Sequence, residues 1–289
     1  MELGVRIPHV GPQATPAFVR EWCQTADQAG YGILWGVDHL VMPQKVESKY
    51  VLPRKPATIA DDAVSTQLSP NFEMMSTLAF VAGITERARL GTAVAVLTIR
   101  NAVLNARQLA TVDRYSNGRL VYGVGIGWLK EEADAMNMPW DRRGARSDEH
   151  IALLRALWMA QGKHVEFHGE FWDIPPMDPE PKPVQQPIPI LIGGHSEHAM
   201  ARAARLGDGW IAAGMAPERL EGMLPTLRDI CAQHDRDFDT LDVYAQLGGD
   251  ITLDAVKRFE ELGVRSLQLP IRDLDELERV AAEIIPAVG

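Results

Sequence analysis

Short apolar runs alternate with longer amphipathic stretches along the whole chain. The apolar runs span 3–8, 31–37, 89–97, 119–125, 188–194, 209–214, 242–248 and 264–271. Most are near-continuous rather than strictly alternating, which is the pattern of parallel strands buried on both faces. The intervening stretches repeat at helical spacing. Phe18, Val19, Trp22 and Ala26 share one face of a helix predicted over 16–29. Ile151, Leu154 and Trp158 share a face over 147–160, with Ser147 as the predicted N-cap. Further helices are predicted over 72–83, 102–115, 195–206, 217–232, 253–262 and 274–285. Pro16 and Pro217 stand near helix starts; Gly30, Gly207 and Gly263 stand just past helix ends.

Strand–helix units repeated in this order predict an α/β fold, a single (β/α)8 TIM barrel spanning 1–289 with insertions after strands 2 and 4. An open doubly wound sheet is the alternative. It usually has an early phosphate-binding glycine loop, which the first strand here lacks. The insertions, 38–70 and 126–146, follow strand C-terminal ends, where a barrel places its active site. They read as lids or substrate walls. The segment 162–187 precedes the fifth strand and reads as a small hairpin (164–167 with 170–174) and a proline-rich connector with a structural role.

Charge narrows the partners. The chain has 29 basic and 39 acidic residues, a net −10. Nucleic acid and anionic membranes are therefore not expected, and a phosphate-bearing ligand needs local compensation. Cys23 and Cys231 stand far apart with no C-x-x-C, so neither a disulfide framework nor a zinc site is expected. No signal-peptide pattern and no membrane-length apolar run is read, so the expected location is the cytoplasm.

Candidate chemistry gathers at strand ends. Asp38-His39 closes the second strand. A histidine there can give or take a proton near neutral pH. The alternative is a loop capped by Asp38 with a solvated His39. Gly91, in the third strand, permits either close approach of a flat ligand or tight packing of small residues. Gly123, Gly125 and Gly127 alternate, so they do not form the dinucleotide fingerprint, but they allow a ligand to lie close. Gly193-Gly194-His195-Ser196 precedes a helix. That arrangement suits an anion, and it also suits a glycine turn with a serine N-cap. His195 and His198 lack a third ligand, so no metal site is expected. Motifs G-x-S-x-G and H-E-x-x-H and the P-loop are absent. A non-redox barrel needs a metal cluster or a strand-end lysine. The nearest candidate, Lys130, falls in a loop.

Several segments together resemble the luciferase-like monooxygenase superfamily, and within it the F420-dependent oxidoreductases. They are Gly30-Tyr31 through Asp38-His39-Leu40, Leu90-Gly91-Thr92 through Arg100, and Ala106-Arg107 through Asp113. Ser116-Asn117-Gly118-Arg119-Leu120 through Gly127-Trp128, with Glu131-Glu132 following, and Pro189 through Gly194 with Gly207-Asp208-Gly209-Trp210 complete the match. The resemblance covers nearly the whole chain. It implies a barrel whose cofactor ring stacks over strand ends, with Asp38 and His39 as catalytic residues beside it. It implies a non-prolyl cis peptide at Ala93–Val94 against the ring. Gly125 is assigned to cofactor binding, and Gly193, Gly194, His195 and Ser196 to the phosphate. Arg100 and Arg107 either join the cofactor or pair with carboxylates in the barrel. Trp128, Met136 and Trp140, with Met138, are the implied substrate wall.

The implied reaction is hydride transfer between coenzyme F420 and a small, largely apolar organic substrate, with His39 handling a proton. The alternative cofactor is FMN, in a two-component monooxygenase that uses reduced flavin and oxygen and has a flavin reductase as partner. A second alternative is a non-catalytic flavin-binding or assembly protein. A homodimer or higher homo-oligomer is expected.

Overall fold

A computed structural model describes residues 1–48, 70–160 and 164–288. The strands are β1 (Glu2–Arg6), β2 (Ile33–Gly36), β3 (Arg89–Thr92), β4 (Ala95–Val96), β5 (Leu120–Gly125), β6 (Val165–His168), β7 (Asp173–Met177), β8 (Ile190–Gly193), β9 (Gly209–Met215), β10 (Asp242–Leu247) and β11 (Val264–Leu269). Parallel pairing runs β1–β2–β3–β5–β8–β9–β10–β11 and returns to β1 through Glu2↔Ser266. Eight strands therefore close into the predicted barrel. β4 continues the line of β3 and pairs with β5 at Ala95↔Val124.

Strand alternation separates two cores. Leu3, Val5, Leu34, Leu90, Tyr122, Ile190, Val243 and Leu267 face outward against the helices. Ile33, Trp35, Val121, Leu191, Ile211 and Tyr244 fill the interior, with Ala93 and Val94 packed on them. Trp35 takes up much of that space. A Cβ on Gly91 would overlap its ring, and one on Gly4 would lie 2.6 Å from its Nε1. Of the two readings of Gly91, the packing one therefore holds: the close approach is made by Trp35.

The helices are α1 (Pro16–Ala29), α2 (Met74–Ala82), α3 (Ala102–Tyr115), α4 (Lys130–Ala135), α5 (Arg143–Met159), α6 (Glu197–Leu206), α7 (Pro217–Gln233), α8 (Leu253–Glu261) and α9 (Leu274–Glu283). Thr15 caps α1 by accepting from Phe18 N, and Gly30 ends it at φ 93°. One start differs from expectation. α5 begins at Arg143, and Ser147 is buried inside it with no hydrogen bond to its hydroxyl among the described residues. Tertiary partners hold the added turn. Arg142 pairs with Glu170, Arg143 lies 4.2 Å over the Trp140 ring, and Asp148 pairs with Arg202 and Arg205.

The insertion after β2 lies partly outside the described residues, which omit 49–69. The insertion after β5 contains α4. β6 and β7 form the expected hairpin, shifted a few residues toward the C-terminus. Glu149 of α5 pins its turn by accepting N–H groups from Glu170, Phe171 and Trp172 at 2.9, 2.8 and 2.7 Å. Among the described residues no helix is long and apolar enough to cross a membrane.

Candidate active site

β2 delivers Asp38 and His39 to the barrel mouth, but their side chains have different surroundings. Asp38 is buried. Its Oδ1 accepts from Arg100 at 2.6 Å, and its Oδ2 accepts from Arg100 Nε at 3.1 Å and Val96 N at 2.8 Å. Burial opposes the Arg100 charge, and the Asp38 carboxylate overcomes it, so the guanidinium pKa lies above its ordinary value. The pair ties the end of β2 to β4 and to the residues entering α3.

His39 remains partly open. Its Nδ1 lies 3.0 Å from Glu132 Oε2, and its ring meets Trp128 edge-on at 6.1 Å. Glu132 comes from α4 and is buried at 1% exposure. Its other oxygen accepts from Leu40 N at 2.6 Å and Val41 N at 3.3 Å. Asn71 donates to the His39 carbonyl at 2.6 Å. A carboxylate facing Nδ1 fixes the proton there, which leaves Nε2 as the atom that accepts or returns a proton. Nε2 has no hydrogen bond among the described residues.

On the adjoining wall the Ala93–Val94 peptide is cis, as the resemblance implied. Val94 rests on two glycines. A Cβ at Gly125 would lie 2.9 Å from its Cγ2, and one at Gly193 would lie 2.7 Å from its Cγ1. β3–β4, β5 and β8 thus present a smooth platform beside His39.

Next to the platform, Gly194 adopts φ 126°, and a Cβ there would lie 2.9 Å from Ala199. Ser196 caps α6 by accepting from Ala199 N at 3.2 Å. Ala199 N and Met200 N also donate to the Ser196 carbonyl at 2.9 and 3.0 Å, which leaves the N–H groups of Glu197 and His198 without a backbone partner among the described residues. Ala213 N donates to His195 Nε2 at 3.1 Å, so the proton of the neutral ring sits on Nδ1. Burial, and then Arg219, hold the His195 pKa below its usual value. A neutral donor, helix N–H groups and glycine backbone are groups that suit an anion such as a phosphate without a local lysine. The platform suits a flat ring and these groups a phosphate, so the residues fit a flavin-type group.

Trp128 joins His39, while Met136, Met138 and Trp140 pack with Leu40 on Val96, Ile99 and Ala133. Met136, Met138 and Trp140 thus take part in a small apolar cluster between the insertion after β5 and the chain leading into α3. Two further residues stand away from the site. Arg107 is exposed on α3, on the side away from the barrel, and pairs with no carboxylate among the described residues. Lys130 is surface-exposed and pairs with Asp134 at 2.6 Å, so it is no strand-end nucleophile. Sequence reasoning gave no role to Glu132 or His9. His9 is fully buried, with Nδ1 and Nε2 each 3.0 Å from the carbonyls of Ile7 and Val37. Burial lowers its pKa, so the ring is neutral and donates to only one of them.

The profile of the luciferase-like monooxygenase family matches residues 1–248. An uncharacterized protein of Mycobacterium tuberculosis is 32% identical over 249 residues, covering 86% of this chain and 83% of the relative. An FMNH2-dependent dimethylsulfone monooxygenase of Pseudomonas putida is 36% identical over 129 residues, 43% of this chain and 35% of that protein. An F420-dependent secondary alcohol dehydrogenase bound to an F420–acetone adduct superposes with TM-score 0.77 at 16% identity, covering 100% and 99% of the two chains.

Proposed function

This chain belongs to the luciferase-like monooxygenase family, and on that premise we propose that it is an oxidoreductase using coenzyme F420. The observation that carries the reading is His39, held through Nδ1 by buried Glu132, with no hydrogen bond to Nε2 among the described residues. Hydride exchange with a carbonyl or alcohol needs one proton moved at the substrate oxygen, and His39 Nε2 is placed to move it. When bound, the deazaflavin supplies the hydride.

The chain's own residues do the rest. Val94, over Gly125 and Gly193, supports the ring. Gly194, His195 and Ser196 hold the phosphate. Asp38 is a positioning residue: its pair with Arg100 and its bond to Val96 N keep the platform beside His39. Trp128, Met136 and Trp140 exclude water from the substrate side.

Use of reduced FMN with oxygen is the second reading, favoured by the local similarity to the dimethylsulfone monooxygenase. The test is oxygen dependence. Protein loaded with reduced F420 is mixed under nitrogen with a panel of small carbonyl compounds, and return of the oxidised deazaflavin spectrum is followed. Oxygen-independent return supports the proposal. Turnover seen only with reduced FMN and oxygen overturns it.

A further inference from the structure

β1 leaves its ladder with β2 at His9. Ile7 N donates to Trp35 O at 2.9 Å. Hydrogen bonds of a parallel pair advance by two residues, so the next rung would join His9 N to Val37 O. His9 N turns back instead and donates to Ile7 O at 2.9 Å. The side chain takes over the missing rung: His9 Nε2 lies 3.0 Å from Val37 O. Val37 immediately precedes Asp38 and His39.

The His9 ring has one proton to place. It is fully buried, and burial keeps it neutral, with Arg6 opposing a second proton and Asp38 favouring one. Asp38 is itself paired with Arg100. Nδ1 faces Ile7 O at 3.0 Å, but that carbonyl already accepts from His9 N. Val37 O has no other donor among the described residues. Leaving Val37 O without a donor costs more than taking one of two from Ile7 O, so the proton belongs on Nε2.

The main chain of His9 closes a circuit. Its carbonyl accepts from Phe72 N at 3.0 Å. Asn71, next to Phe72, forms a bridge with Val10 and sends its side-chain amide to His39 O at 2.6 Å. The path runs from the His9 ring to Val37, along the chain to His39, through Asn71 and Phe72, and back to His9. Glu132 holds the His39 ring and Leu40 N. The circuit grips the main chain at Val37 O and His39 O.

We propose that His9, as its Nε2–H tautomer, is a positioning residue for His39: its bond to Val37 O closes the circuit that sets where the His39 ring stands. The kinetic consequence rests on His39 as the proton carrier; the tautomer and the circuit do not.

Two substitutions separate this bond from mere bulk. The amide nitrogen of Gln stands as many bonds from Cα as Nε2 does, and that of Asn as many as Nδ1. His9→Gln can therefore still donate to Val37 O, and His9→Asn can reach only Ile7 O. The first measurement is the two-bond proton–nitrogen correlation spectrum of cofactor-free, nitrogen-15-labelled wild type, with His9 assigned by its loss in His9→Gln. A proton on Nε2 alone is expected. A proton on Nδ1, alone or with one on Nε2, overturns the proposal. The second is turnover of reduced F420 with the carbonyl panel. His9→Asn should lower kcat about tenfold or more with KM near wild type, and His9→Gln should recover most of the rate. The His39 Nδ1 resonance should move in His9→Asn and return in His9→Gln. Thermal unfolding checks that both variants fold. Equal kcat and the same His39 resonance in the two variants overturn the proposal. If wild type turns over no carbonyl compound with F420, the redox reading fails, while the His9 tautomer and the His39 resonance still decide the role of His9.

Discussion

Glu132 Oε2 lies 3.0 Å from His39 Nδ1, and the same carboxylate's other oxygen takes the N–H of Leu40. One buried side chain from the insertion after β5 therefore fixes both the tautomer and the backbone of the residue proposed to move the proton. The first residues after β2 are thereby tied to the insertion after β5.

His39→Ala should lower kcat by about 10²–10⁴-fold, the usual contribution of general acid–base catalysis. Cofactor affinity should stay near wild type, because His39 touches neither Gly194 nor Ser196. Glu132→Gln should lower kcat less, with KM little changed, and Glu132→Asp should restore part of it. Steady-state kinetics beside cofactor titration separate the two roles. Unchanged turnover in His39→Ala removes His39 from the mechanism.

Asp38→Ala should act mainly on stability. It strands the Arg100 guanidinium in the protein with Glu73, 3.6 Å away, as its remaining carboxylate partner among the described residues. Breaking a buried pair by removing one partner costs about 3–5 kcal/mol. Urea unfolding should show that loss, and a loss within experimental error would contradict the bracing role.

Gly194→Ala should weaken phosphate binding specifically. At φ 126° a side chain is strained, and its Cβ would meet Ala199 at 2.9 Å. The strain is about 1–3 kcal/mol. Affinity for FMN should fall while affinity for riboflavin, which lacks the phosphate, changes little. Equal losses for both would place the phosphate elsewhere.

Stability should depend on pH through His150. Burial, then Arg146 and Arg100, push its pKa down from 6.5 to about 3. The folded state therefore holds fewer protons than the unfolded state between those values. The neutral ring's contribution is complete above about 6.5 and is lost progressively as pH falls toward about 3. Urea midpoints measured from neutral to mildly acidic pH should fall with acid, and His150→Leu should flatten the slope. An unchanged slope would show that His150 is not the group responsible.

The barrel was legible because buried parallel strands leave near-continuous apolar runs, and helix ends such as Gly30 and Ser196 carry their own chemistry. The start of α5 was not, because long-range partners such as Glu170 and Arg202 outweigh the local cap signal of Ser147. In the site, Asp38, His39 and Gly193–Ser196 could be found because they end strands or open a helix. Glu132 was hidden because its partner lies 93 positions away and reaches it only through the packing of two insertions. His9 reads as an isolated polar residue just past an apolar run. Only the fold, which sets Val37 and Phe72 against it, shows what it holds.

Parallel titration of the purified protein with F420 and with FMN, each followed by its own absorbance change, tests the central claim most directly. The account predicts saturable F420 binding that is weakened by Gly194→Ala and is tighter than FMN binding. Tight FMN binding without F420 binding would contradict it.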